Sequence, residues 1–426
     1  MKQKKIKVFI GLVEVAGYFR SLNDGFHDIG IKSCFFQYFH NKYYNYGSPF
    51  MLFCQYLSSL KSSYKIFNLF YRTINNFIKL LIFIYTLFFY NVYIFGALST
   101  FLNYNDLKLL KFFKKKIIYV FLGSDSRPDY LNGALVNNLY LNKGKVIEID
   151  KCIKNVLQRK KIITKIEKYA NHCINHPPCA MFHNKQYIKW LYIGYPFSKN
   201  KLNVYASPKN IDNKNAKTII LHAPSNPETK GTKYFREIMN KLINEGINID
   251  FIEIINQSNS KVLELLTQCD FVVDELYSDT PLGGLGVEAA FLGKTTIKAG
   301  YYNNYILNDY NNDVIPPSIF CEPHDIEEKI RLLIADSVYC KKMGIDALNF
   351  VNNNWLPVHV ASRFIKLINN DVPREWIGNP YKLNYVFGYG QSKKQLKKII
   401  MALKVKGNEV FAINDKPKLL EMLLNI

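Results

Sequence analysis

Five short segments carry residue types whose spacing suits an anionic or sugar ligand. The stretch His222-Ala-Pro-Ser-Asn-Pro-Glu-Thr-Lys-Gly231 follows an apolar run. Lys230, just ahead of a helix start, is placed to neutralise a diphosphate, and Ser225 and Asn226 can donate hydrogen bonds beside it. The stretch Pro281-Leu-Gly-Gly-Leu-Gly-Val-Glu-Ala-Ala290 runs glycines into a helix. Gly283, Gly284 and Gly286, with Leu285 among them, would let backbone amides approach a diphosphate, while Glu288 in the first turn could take both ribose hydroxyls. Asp274 and Glu275 end the run FVVDE, where they serve either a ligand or an ordinary cap or solvent face. In Gly123-Ser-Asp-Ser-Arg127, Asp125 suits a sugar hydroxyl and Arg127 a phosphate; a plain surface Asp–Arg pair is the alternative. Gly11 to Gly17, with Glu14 inside, offers a glycine at a strand end and a following helix N-terminus, which suits an anion or a simple turn. It does not match G-x-G-x-x-G, so a dinucleotide fold is not indicated.

His172, Cys173, His176, Cys179 and His183 are zinc-type residues within twelve positions. Their spacing fits no finger, and two prolines interrupt it, so no metal is expected. A Walker loop, a Ser-His-Asp elbow and H-E-x-x-H are absent from the sequence.

The elements that must carry these loops alternate. Ile6–Leu12 reads as a strand. A helix with Tyr18, Leu22, Phe26 and Ile29 on one face follows, closed by Gly30, and IKSCFF opens a second strand. Lys116–Leu122 is a buried strand, Val146–Asp150 a short one, and Ile153–Ala170 a basic amphipathic helix; Tyr192–Pro196 leads into a linker. The pattern restarts near residue 217, with strands at Lys217–His222, Ile249–Ile255, Phe271–Glu275 and Lys294–Ala299. Helices are expected at Lys233–Glu245, Ser260–Gln268, from Gly286, and at Asp325–Ala335. This predicts an α/β protein of two doubly wound, Rossmann-like domains, 1–196 and 197–370. Residues 371–426 form an appendage with the turn FGYGQ and a basic helix from Ser392 to Lys404, to which the sequence assigns no chemical task.

The chain has 426 residues, 48% apolar and 21% charged, which fits folded domains and excludes a disordered chain. Its 56 Lys and Arg outnumber 34 Asp and Glu, a net +22, with clusters at Lys2–Lys7, Lys111–Lys116 and Arg159–Lys168. Such a surface attracts anionic substrates or an anionic membrane surface. Nucleic acid is not expected, because no nucleic-acid-binding signature accompanies the charge. Eight scattered cysteines without a secretory signal point to reduced thiols in the cytoplasm. Leu80 to Leu102 holds no charge over 23 residues, enough to span a bilayer. Its composition favours a split instead: a helix over Tyr64 to Tyr90, then a buried strand at Asn91–Phe95. An aromatic-rich face of it would enter one leaflet, making the protein peripheral on the inner face of the plasma membrane.

HAPSNPETKGT, CDFVVDELY and GGLGVEAAFLGK, over residues 217 to 300, together resemble the donor domain of retaining GT-B glycosyltransferases (group 1, family 4-like). These are bacterial enzymes that build capsule, lipopolysaccharide and other surface glycans. EVAGY and LKLLKFFKKKIIYVFLGSDSR resemble the acceptor domain more weakly. The resemblance implies a GT-B fold, with two Rossmann-like domains facing a central cleft. It implies transfer of a sugar from a nucleotide-diphosphate sugar to a glycan or lipid-linked acceptor, with retention and without metal or cofactor. Lys230 would neutralise the donor phosphate and Glu288 would hold the ribose. Gly283, Gly284 and Gly286 would meet the diphosphate, and Gly17 would line the cleft from the other side. Lys230 and Asp125 are the expected catalytic residues, and Glu14, Gly123 and Arg127 the acceptor-side ones. The chain departs from the pattern in two places: Thr280 stands where many relatives have a second Glu, and no Arg precedes Lys230 in its loop. A sugar-nucleotide epimerase or phosphorylase of the same fold, or an inactive membrane-associated scaffold, are the alternatives.

Overall fold

The computed structural model describes residues 5–40, 47–136, 148–198 and 217–426. Among them, twelve strands are numbered in chain order. β1 to β6 are Lys7–Leu12, Lys32–Gln37, Val92–Gly96, Lys116–Val120, His172–Asn175 and Tyr187–Lys189. β7 to β12 are Thr218–His222, Ile249–Glu253, Phe271–Val273, Thr295–Ala299, Ile319–Cys321 and Ile377–Gly378. The chain divides into two compact units, each an α/β unit on a largely parallel sheet, as the alternating pattern predicts.

The first unit comprises Met1–Ser126, Arg159–Ser198 and Trp355–Pro380. Its sheet runs β12-β6-β5-β4-β3-β1-β2, parallel except for the antiparallel edge strand β12. Strands in such a sheet are covered on both faces, so they read as continuous apolar runs; every residue of β3 (VYIFG) is buried. The second unit comprises Arg127–Gln158, Lys199–Asn354 and Tyr381–Ile426, with an all-parallel sheet ordered β11-β10-β9-β7-β8. Its core gathers Ile220, Phe235, Leu242, Phe271, Ile297 and Ile326. In both units the first strand lies between the second and the third. The order therefore reverses at β1/β3 and at β7/β9, the places where such sheets bind ligands beyond their strand ends.

The units are not consecutive in sequence, in contrast to the expected boundaries at 196 and 370. Helix Pro357–Asn369 packs on helix Tyr18–Asp28, and β12 pairs with β6, which ties 355–380 to the first unit. The expected appendage joins the second unit. There Tyr130 donates its hydroxyl to the Phe411 carbonyl at 3.0 Å, Gln391 donates to the Tyr130 carbonyl at 3.0 Å, and Gly133 N–H donates to the Tyr389 carbonyl at 2.8 Å. The expected strand at Val146–Asp150 is not formed where it can be seen: Ile149 opens helix Ile149–Tyr169, and Val146 lies outside the described residues. Lys2 to Lys4 and most of the linker, 199–216, lie outside them as well. The zinc-type residues are dispersed into structure. His172 and Cys173 start β5, and His183 bonds Glu167 at 2.7 Å and Asn175 at 2.8 Å.

Gly25 marks how closely the first unit's two helices approach, since a Cβ there would lie 2.1 Å from the Pro357 carbonyl oxygen. Alanine normally stabilises a helix relative to glycine. Gly25→Ala is nevertheless expected to cost about 1–3 kcal/mol by forcing the helices apart. Thermal or urea unfolding checks this, and a variant as stable as the parent would refute the close approach.

Candidate functional site

The residues flagged after β7 and β9 converge. Beyond β7, Asn226 caps the short helix Pro227–Lys230, its side-chain oxygen accepting from Glu228 N at 3.1 Å and Thr229 N at 3.4 Å. Gly231 then adopts φ 77°, which glycine tolerates, and a Cβ there would sit 2.4 Å from that of Leu276. The loop is thus pressed against the segment leaving β9, and Leu276 N donates to the Lys230 carbonyl at 3.2 Å. This brings the Lys230 ammonium onto both acids at the end of FVVDE: 3.1 Å from Asp274 Oδ1, and in a short contact with Glu275 Oε1.

From the neighbouring strand β10, Lys298 reaches the other two oxygens, with Nζ 3.3 Å from Asp274 Oδ2 and 2.9 Å from Glu275 Oε2. Backbone bonds from Asp274 N to the Ile297 carbonyl (3.0 Å) and from Ala299 N to the Glu275 carbonyl (2.8 Å) hold the two segments in register. Side-chain exposure is 0% for Lys298, 2% for Asp274, 8% for Glu275 and 14% for Lys230, so the water that would solvate these charges is largely excluded. A charge buried this way is tolerated only when paired. The Lys298 contacts are ion pairs by distance, yet none of the three atoms is aligned for a hydrogen bond. Burial alone would lower the Lys230 pKa; Asp274 and Glu275 outweigh it and hold the ammonium well above its ordinary value. Burial would likewise raise Glu275, but Lys230 and Lys298 reverse this and keep the carboxyl far below the usual range.

The glycine turn lies over the quartet. Helix Gly284–Phe291 begins after Gly283, where a Cβ would be 3.1 Å from Lys298 Nζ, and Gly284 is exposed with open space around it. Gly286 packs tightly, a Cβ there falling 2.8 Å from Leu282, and Leu285 is half-buried. Glu288 is the fifth residue of this helix, not in its first turn as expected, and accepts from Asn259 Nδ2 at 2.8 Å. Ser225 is exposed, and the Thr280 hydroxyl donates to the Leu282 carbonyl at 3.2 Å.

The turn FGYGQ supplies what sequence reasoning missed. Tyr389, between two glycines at φ 72° and 67°, directs its hydroxyl to Glu275 Oε1 at 3.4 Å. Its ring lies 4.9 Å from the Arg127 guanidinium carbon. Arg127 is buried in an ion pair with Asp279, and not in the surface pair with Asp125 that is the alternative to a phosphate contact. Burial, then the Glu275 charge, raises the Tyr389 phenol, which keeps it a neutral donor. Lys298 could have been noticed as the one charge inside TTIKA. The Tyr389 contact joins positions 114 apart, and no local pattern announces it.

In the first unit the expected residues are differently occupied. Glu14 is fully buried, and its carboxylate accepts from Val15 N (2.7 Å), Phe19 N (3.2 Å) and Arg20 N (2.9 Å). It thereby caps helix Tyr18–Asp28, entered through Gly17 at φ 81°, so the chain's own carboxylate takes the amides expected to face an anion. Gly123 is exposed at φ 61°, Asp125 accepts from Leu122 N at 3.0 Å, and Arg159 donates to the Ser124 and Asp125 carbonyls at 2.9 Å each.

No family model and no curated protein matches the chain. Among solved structures it is similar to sucrose-phosphate synthase from Thermosynechococcus elongatus, at 11% identity, covering 85% of this chain and 98% of that one, with a TM-score of 0.47. It is also similar to HepE from Anabaena in complex with UDP-glucose (11%, 85% and 99%, TM-score 0.46). A third is WaaG, a glycosyltransferase involved in lipopolysaccharide biosynthesis (11%, 85% and 99%, TM-score 0.47).

The quartet should be visible in the pH dependence of stability. Glu275→Gln leaves the two lysines with a single counter-charge and is expected to cost about 3 kcal/mol near neutral pH. The folded pKa of Glu275 is depressed, so its contribution is complete above the ordinary glutamate value. Below about pH 4.3 the unfolded chain takes up a proton that the folded one refuses. The gap between parent and variant melting temperatures should therefore stay level from neutral pH down to that point and narrow below it. A gap that widens in acid would refute the assignment.

Proposed function

We propose that this protein is a GT-B glycosyltransferase. It moves a sugar from a nucleotide-diphosphate sugar, with retention, to a glycan or lipid-linked acceptor in surface-polysaccharide synthesis, on the cytoplasmic side of the membrane. The observation that carries the reading is Lys230 and Lys298 held on the same two carboxylates, with Lys298 against the glycine turn, beyond the strands at which the second unit's order reverses. Two ammonium groups and a helix N-terminus are a match for a diphosphate.

In this reading the acids have a defined task. Asp274 and Glu275 hold both lysines in place before the ligand arrives, so little reorganisation is needed as charge develops on the leaving diphosphate. Lys230, the more accessible of the two, meets that charge. Gly283 and Gly284 let backbone amides approach it, and Glu288, steadied by Asn259, takes the ribose hydroxyls. Lys298 and Arg127 supply positive charge from other segments, in place of the arginine missing ahead of Lys230. Positive charge from side chains fits a transfer without metal or cofactor, in which the departing diphosphate helps to deprotonate the acceptor. Asp125 remains the proposed contact to a sugar hydroxyl, with Gly123 lining the acceptor side; Glu14, buried as a helix cap, serves that side only by holding the Gly17 turn.

The direct test is the melting temperature of the purified chain with UDP, GDP, ADP or TDP, with and without EDTA. A ligand that binds only the folded state raises it by mass action. One diphosphate should give a clear shift insensitive to EDTA. Lys230→Ala and Glu288→Ala should each weaken its binding by about tenfold or more, the loss of one charge-assisted contact. Unchanged affinity in both variants would remove the site. Release of free isomerised sugar, or of sugar phosphate from glycan and phosphate, would replace glycosyl transfer by an epimerase or a phosphorylase.

A further inference from the structure

The first unit exposes an apolar surface that its own fold does not cover. Helix Lys65–Phe89 is 25 residues long and buries only Lys79, Phe83 and Thr86. At roughly 100° per residue these three share one face. Phe70, Phe77, Leu81, Ile84 and Phe88 fall on the opposite face and are 59%, 59%, 51%, 43% and 80% exposed. The preceding helix, Pro49–Ser59, packs alongside and adds Phe53 and Tyr56, 51% and 61% exposed. Patches of this extent on a folded protein mark contact with another phase or partner.

Charge identifies the occupant. Between Asp28 and Asp106 the sequence contains no acidic residue, and Lys61, Lys65 and Arg72 stand exposed, the last two at the helical angle of Lys79, on the side away from the aromatic face. With no acid on this stretch to oppose them, all of these cations are attracted by an anionic lipid surface. Aromatic residues on one face and basic ones on the other are the composition of a helix lying in the plane of the headgroup boundary.

Helix Lys65–Phe89 is long and apolar enough to cross a bilayer, but its middle and its C-terminal end are tied to the first unit's sheet and its neighbours. Its C-terminal end runs into β3, which pairs with β1 and β4. At its middle, Asn75 accepts from the Tyr38 hydroxyl just past β2 and donates to the Leu57 carbonyl at 3.2 Å, while Phe50 of the preceding helix lies against Phe36 of β2, ring centres 6.0 Å apart. A spanning helix holds its middle inside the hydrocarbon core, so crossing would pull Asn75 away from Tyr38 and Leu57.

We propose that helices Pro49–Ser59 and Lys65–Phe89 form an in-plane docking surface for an anionic lipid leaflet, entering one leaflet without crossing it. This stands on the first unit alone and does not depend on the chemistry of the second.

The full chain should sediment with phosphatidylcholine vesicles containing roughly a third phosphatidylglycerol, and about tenfold less with phosphatidylcholine alone. Combining Phe70→Ser, Phe77→Ser and Phe88→Ser should abolish this without lowering the melting temperature, because all three side chains are exposed. Lys65→Glu with Arg72→Glu should weaken it about tenfold or more and steepen the loss with salt. Equal sedimentation of the serine variant and the parent would overturn the proposal. So would a dimer of the parent, dispersed by the serine changes, in a protein that ignores vesicles. Retention in membranes after carbonate washing, with release only by detergent, would overturn the in-plane arrangement in favour of a spanning one.

Discussion

The second unit is organised around a neutral quartet of charges, Lys230, Asp274, Glu275 and Lys298, drawn from the ends of β7 and β9 and from within β10. Each charge would be prohibitively costly to bury alone, so the pairing constrains everything near it. The Gly231 turn must press against Leu276 to deliver Lys230, and Gly283 must lack a side chain for Lys298 to lie beneath the helix start. The site is thereby rigid and highly charged in detail while nearly neutral in sum.

The route of the chain follows from the same constraint. Segments of 127–158 and 381–426, distant in sequence, pack on each other through Tyr130, Gly133 and Gln391, and Gly390 N donates to the Tyr277 carbonyl beyond β9, which brings Tyr389 to the quartet and Arg127 beside it. The glycines on either side of Tyr389 take positive φ values, which let the backbone turn sharply enough to aim one phenol inward. The C-terminal segment, which looks like an appendage in sequence, is a structural wall of the site.

The first unit distributes its polar groups differently. Glu14 closes a helix N-terminus from within, whereas the aromatic face of Lys65–Phe89 is left open. The contrast is physical. A buried helix end cannot remain without hydrogen-bond partners, but an exposed apolar face is tolerable where a second solvent, the lipid, is at hand.

Local pattern alone was enough to establish the α/β class, the positions of β1, β3, β4 and β7 to β10, and the loops that hold Lys230, Asp274, Glu275 and the glycine turn. Buried parallel strands must be apolar, and strand-end loops must carry glycine or polar groups, whatever the rest of the chain does. The same logic divided the uncharged stretch Leu80–Leu102 into a helix and a strand. Only the tertiary structure decided that Asp274 and Glu275 are counter-ions, that Arg127 meets Asp279 instead of Asp125, and that Glu14 caps its own helix. It alone placed Lys298 and Tyr389 at the site. Those outcomes depend on desolvation and on pairings between distant segments: a charge is recognisable in sequence, but the partner that burial forces upon it is not.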